Sequence, residues 1–190
     1  YGDHRDLHKE YRRQRQMCIR DRVFALDFTG HGESTLPSGG GYTCEALMSD
    51  ADAAIAEMGP ATLFGYGLGA YVGLLLFGSR PREVRGLVIA DGPGFDGGGS
   101  RPTSSKLLHV PQDNSLDHTP DPWALLELAS DIRPPDYAAD HVQQVEALAE
   151  MEKAVAVTSI GRPEWLEAAM QSDVVFESDI ATALSIFCPL

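Results

Sequence analysis

Apolar and polar positions along the chain change rhythm twice. No apolar periodicity precedes Val23. Residues 23–27 (VFALD) then form a short apolar run ending in an acid, the pattern of a buried parallel strand. The loop FTGHGESTLPSGGG follows, dense in turn residues. Thr43 offers an N-cap, and Leu47, Ala51, Ala54, Ile55 and Met58 recur on one helical face until Gly59-Pro60 stops them. Residues 61–64 (ATLF) predict a second strand. The glycine-rich FGYGLGAY predicts a tight turn into an apolar helix over 69–77, closed by Gly78 and Pro81. Residues 86–90 (GLVIA) predict a third strand, ending at Asp91.

Strand, helix, strand, helix, strand with short links predicts an α/β fold built on a parallel sheet. Ligands of such sheets bind at the carboxyl ends of the strands. Asp27, Gly67 and Asp91 all fall there. Beyond the GPGFDGGGS stretch (92–100), the pattern becomes helices alone. Asp121-Pro122 opens WALLELAS. Residues 136–153 carry Val142, Val145, Leu148 and Met151 near helical spacing. Pro163 opens EWLEAAM, and residues 179–184 read as helix. Residues 185–190 (SIFCPL) predict the start of a further strand. The expected organisation is a partial core over 23–100, a helical lid over 101–178 and a return to the core over 179–190.

Charge changes the picture at the N-terminus. The chain carries a net −13, yet residues 1–22 carry +3, leaving −16 on the remaining 168. Within that segment, YRRQRQMCIRD resembles translated sequencing-adapter read-through from metagenomic assembly edges, so residues 1–22 are set aside as non-native. The acidic remainder argues against nucleic acid or an anionic membrane as partner. No apolar stretch approaches the roughly 20 residues that span a bilayer. Cys18, Cys44 and Cys188 form no disulfide framework or zinc pattern, so no metal is expected and a reducing cytoplasm is the default compartment. A small molecule is the expected partner; the oligomeric state is not readable.

The glycine turn admits two readings. Gly65-x-Gly67-x-x-Ala70 satisfies a dinucleotide-binding pattern, with Asp91 ending the next strand 26 residues after Gly65. That pattern normally follows the first strand of its unit, whereas a complete βα unit precedes it here. The other reading is a nucleophile elbow, G-x-S-x-G, with Gly67 where Ser is expected and Gly65 and Gly69 kept small by their neighbours.

The second reading is carried by more of the chain. VFALDFTGHGEST resembles the D-x-x-G-x-G-x-S loop after the fourth strand of α/β-hydrolases. ATLFGYGLGAYVGLLLFGSRPREVRGLVIADGPG resembles their fifth strand, elbow, helix and sixth strand, and SDIATALSIFCPL the approach to their seventh. The resemblance spans residues 23–190 and is strongest over 23–94. It implies a helical lid after the sixth strand and cofactor-free hydrolysis of a small ester- or amide-like substrate by nucleophile, base and oxyanion hole. It also implies an acid and a His beyond Leu190. Gly67 has no side chain with which to attack, so the chain as written is expected to be inactive. The elbow backbone remains, with the Leu68 N–H in the oxyanion-donor position. A non-catalytic ligand-binding relative is the alternative.

By the same resemblance Asp91 is a candidate acid, otherwise a turn-capping residue. Tyr66, His31 and Phe95 are candidate pocket residues, although a loop His bonded to backbone is the plainer account of His31. Ser34 is expected to bond the loop backbone. His109, His118 and His141 belong to the expected lid, as do Trp123 and Trp165, which are expected to be lid core.

Overall fold

A computed structural model describes residues 22–37, 39–98 and 120–188. The elements are α1 (Cys44–Met58), β1 (Ala61–Tyr66), α2 (Leu68–Ser79), β2 (Val84–Ala90), α3 (Pro122–Ser130), α4 (Pro135–Leu148), β3 (Val155–Val157), α5 (Glu164–Ala169), β4 (Val175–Glu177) and α6 (Ile180–Phe187). The four strands form one parallel sheet in the order β1-β2-β3-β4.

Alternation along β2 sets the layers. Leu87 and Ile89 join one apolar cluster with α1, α2, α4 and α5, while Val88 joins Ala183 and Phe187 of α6 on the opposite face. β3 repeats the pattern, with Val155 and Val157 on the first face and Ala156 on the second. Helices therefore cover both faces, as a parallel sheet requires. α2 is buried continuously from Ala70 to Gly78, which matches its all-round apolar sequence. α1 starts where Thr43 accepts the Ala46 N–H at 3.1 Å, and Asp121 and Asp179 cap α3 and α6 in the same way.

Four expectations from the pattern do not hold. Residues 23–27 are not a strand: Val23 is 93% exposed and Phe24 and Leu26 are exposed as well. A strand needs a neighbour for its backbone groups, and this run pairs with none among the described residues. The chain is instead pinned further on, where Asp50 of α1 accepts both the N–H (2.8 Å) and the hydroxyl (3.1 Å) of Thr29.

The helix expected over 136–153 ends at Leu148, and the stretch expected to hold helices alone contains β3 and β4. Glu150 adopts φ 54°, which breaks the helical path, and the buried Ala-Val-Ala-Val run of 154–157 then pairs with β2. Residues 185–187 are helical rather than extended. The Asp179 cap launches α6, and Ala183 and Phe187, one helical turn apart, both pack on the sheet.

Candidate functional site

β1 runs directly into a sharp reversal. Gly67 takes φ 59° and ψ −124°, between the last residue of β1 and the first of α2. That φ is accessible to glycine and costly for a side chain. The Gly67 N–H continues the β1–β2 ladder by donating to the Ala90 carbonyl at 3.0 Å. On the strand side, a Cβ at Gly65 would strike the Ala70 backbone, so the glycine lets helix and strand close on each other. Gly69 departs from expectation: a Cβ there meets nothing within 4 Å. Its smallness is not required by a neighbour, because it lies on the open side of the first turn of α2.

The N–H expected to act as oxyanion donor already has a partner. The Leu68 N–H donates to the Pro93 carbonyl at 2.9 Å. The same segment fills the space a nucleophile's side chain would enter, since a Cβ on Gly67 would overlap the Pro93 carbonyl and the Gly92 backbone. Tyr66 is exposed, and its ring lies against Gly92, where an added Cβ would come within 2.7 Å of it.

Asp91, at the tip of β2, caps a different loop from the one expected. Its carboxylate accepts the N–H groups of Ile160 (2.6 Å) and Gly161 (2.9 Å), which follow β3. It therefore ties the exits of two neighbouring strands together rather than the Gly-Pro-Gly turn beside it. Phe95 is buried, edge-on to Trp165 at 5.4 Å, and its carbonyl accepts from both Trp165 Nε1 (3.1 Å) and Arg133 Nη1. Trp165 is core, whereas Trp123 is half-exposed.

The loop expected at the site mouth is held by its own backbone. His31 Nδ1 lies 3.1 Å from the Thr29 carbonyl, the Ser34 hydroxyl donates to the Asp27 carbonyl at 2.6 Å, and the Asp27 carboxylate accepts the Glu33 N–H at 3.1 Å. α3 is fastened over the next stretch by three carboxylates. Asp121 accepts the Tyr42 hydroxyl at 2.6 Å, Glu127 accepts the N–H groups of Gly41 and Tyr42, and Asp131 accepts the Cys44 N–H at 3.0 Å. Burial, then the Asp121 bond, hold the Tyr42 phenol well above its usual range. Burial, then Asp131, push the Cys44 thiol up to about 12, so it stays protonated and is no substitute nucleophile. His141 is half-buried in α4, its ring edge-on to Tyr137. His109 and His118 lie outside the described residues, as does Cys18. Among the described residues no group of His, Cys, Asp or Glu is arranged to hold a metal ion, and no helix is long and apolar enough to cross a membrane.

The contacts to Pro93, Ile160, Gly161 and Arg133 were invisible to sequence reasoning. They join residues 25 to 70 positions apart, and one partner in each is a backbone atom, which leaves no residue-type signal.

A parallel sheet covered by helices, with a glycine-flanked reversal at a strand tip leading into a buried helix, is the core of an α/β-hydrolase. The alpha/beta hydrolase family model matches residues 6–180, and the chain belongs to that family. The match begins inside the N-terminal segment that the charge pattern sets apart. Among solved structures, the chain is similar to a mutant haloalkane dehalogenase of Agrobacterium tumefaciens, with 16% identity and a TM-score of 0.50. That likeness covers 80% of this chain and 69% of that one, and speaks for the fold. No curated protein matches the chain.

Proposed function

We propose that this chain keeps the hydrolase elbow as architecture and has lost the chemistry of the elbow nucleophile. The observation that carries the reading is Gly67, whose φ of 59° and ψ of −124° put a residue without a side chain at the crest. Hydrolysis of small ester- or amide-like substrates needs an attacking atom there, an adjacent base and a free oxyanion donor. Gly67 supplies no attacking atom, the His31 ring faces the Thr29 carbonyl, and the Leu68 N–H is already bonded. Asp91, the candidate acid, is committed to the 160–161 loop.

The test is turnover of p-nitrophenyl acetate by the 190-residue chain. The expected result is hydrolysis no faster than the buffer blank. Saturable turnover abolished by Asp91→Asn and His31→Ala would overturn the reading and restore these two residues to a catalytic role.

The alternative, a non-catalytic ligand-binding relative, requires the Leu68 N–H to be exchangeable between Pro93 and a ligand carbonyl or carboxylate. The dinucleotide reading has less support. A pyrophosphate would need the same first N–H of α2. We assign a small molecule rather than nucleic acid as the partner class on the net charge of −13. On the few, unpatterned cysteines we place the protein in the cytoplasm, and we take α3 and α4 as the cover over the strand tips.

A further inference from the structure

The segment 92–98 crosses the elbow as a strap with its own fastenings. Phe95 N–H closes back on the Gly92 carbonyl at 3.3 Å, and the Gly98 N–H donates to the Asp131 carbonyl at 2.8 Å. Between those points, the Phe95 carbonyl accepts from two buried donors, Arg133 Nη1 and Trp165 Nε1. Arg133 is 3% exposed, and its guanidinium lies 5.0 Å over the Tyr71 ring. Its Nε and Nη2 find no hydrogen-bond partner among the described residues, so the bond to Phe95 is a main polar anchor for a charge removed from water. The other end of the strap is shaped to lie flat. A Cβ at Gly92 would come within 2.7 Å of the Gly67 nitrogen, so only glycine lets the strap settle against the crest.

We infer that residues 92–98 are an internal plug of the elbow. The Pro93 carbonyl sits on the Leu68 N–H as a substrate oxygen would, and Arg133 and Trp165 latch the plug through the Phe95 carbonyl. A buried donor left without an acceptor is unfavourable, so the strap satisfies Leu68 in the absence of a ligand. Any ligand oxygen that engages Leu68 has to displace Pro93 first. The device rests on the assignment of residues 65–69 as the elbow, but not on whether that elbow ever catalyses anything.

Amide hydrogen exchange of the full chain tests it, read at Leu68 and, as a reference, at Leu87 within β2, whose N–H donates to Ala154. The first N–H groups of a helix have no intrahelical acceptor and exchange fast unless something outside the helix binds them. In the wild type, Leu68 is expected to exchange at least tenfold more slowly than an unstructured peptide. Two variants should release it. Gly92→Ala wedges the strap off the Gly67 nitrogen, and Arg133→Met keeps the buried volume while removing the latch. Each is expected to speed Leu68 exchange at least tenfold with Leu87 unchanged.

Wild-type exchange at Leu68 as fast as in an unstructured peptide would overturn the plug. Unchanged protection in both variants would overturn the latch, and so would equal loss at Leu87 in both, because the strap would then be no separable device. The p-nitrophenyl acetate assay decides the chemistry independently, so failure of one reading does not imply failure of the other.

Discussion

A Cβ placed on Gly67 falls on the carbonyl of Pro93. Placing a nucleophile at this crest is therefore not a matter of adding a hydroxyl. Gly67→Ser has to accommodate a side chain at φ 59° and push the strap aside. The backbone cost is about 1–3 kcal/mol and overpacking adds a similar amount. We expect the variant to be destabilised by about 2–6 kcal/mol in urea denaturation and to gain no esterase activity.

The two outer glycines of the turn should respond in opposite directions. Gly65 faces the Ala70 backbone, while Gly69 faces open space inside the first turn of α2. Gly69→Ala removes conformational freedom from the unfolded chain without a clash, and is expected to stabilise by about 0.5–1 kcal/mol. Gly65→Ala forces strand and helix apart and is expected to destabilise by about 1–3 kcal/mol. Denaturation midpoints of the two variants check the sign of each.

This pair also marks what the sequence made legible. The spacing Gly65-x-Gly67-x-Gly69, set between an apolar strand and an apolar helix, is local information, and it located the reversal to the residue. The caps at Thr43 and Asp121 are local too, and each starts the helix that its side chain predicts. β3 was missed because it is three residues long and follows helix-like spacing up to Met151, so only its pairing with β2 distinguishes it. Residues 23–27 failed in the opposite sense. VFALD has the composition of a strand, but composition cannot supply a neighbour to pair with. The bond from the Leu68 N–H to Pro93 lay beyond reach for a third reason, since the two residues meet through main-chain atoms alone.

Asp91 is expected to matter for folding before chemistry. Its two carboxylate oxygens satisfy two adjacent N–H groups, on Ile160 and Gly161, and so join the exit of β2 to the exit of β3. Asp91→Asn keeps the shape but turns one acceptor into a donor that faces an N–H. Losing a charge-assisted bond and leaving its partner unpaired costs about 1–3 kcal/mol. The expected signature is that loss in denaturation free energy, with faster amide exchange at Ile160 and Gly161. A variant as stable as the wild type would show that the loop closes without the carboxylate.

Acid should weaken the fold through His141. Its ring is packed in α4 with its edge toward Tyr137 at a centroid distance of 4.8 Å, and its buried Nδ1 has no hydrogen-bond partner among the described residues. On the facing helix, α2 presents Gly78, where any side chain would collide with the imidazole. Burial is the main cause holding the imidazole below its ordinary 6.5, and nearby Asp140 and Glu45 oppose the shift without cancelling it. The folded state thus takes up a proton less readily than the unfolded chain. As pH falls below 6.5, the unfolded state binds protons first, and the equilibrium moves toward it until the folded-state value is passed. Stability from this group is therefore complete above 6.5 and lost on the acid side, the reverse of a histidine that gains an ion-pair partner. His141→Leu removes the titration and retains an apolar packing group. Urea denaturation at pH 7.5, 6.0 and 5.0 is expected to show a shallower decline in the variant than in the wild type. Parallel declines in the two proteins would assign the acid sensitivity to the carboxylates, with Asp52, held low by its bond to Arg80, and Asp179, held low by its bonds to Thr182, the first to examine.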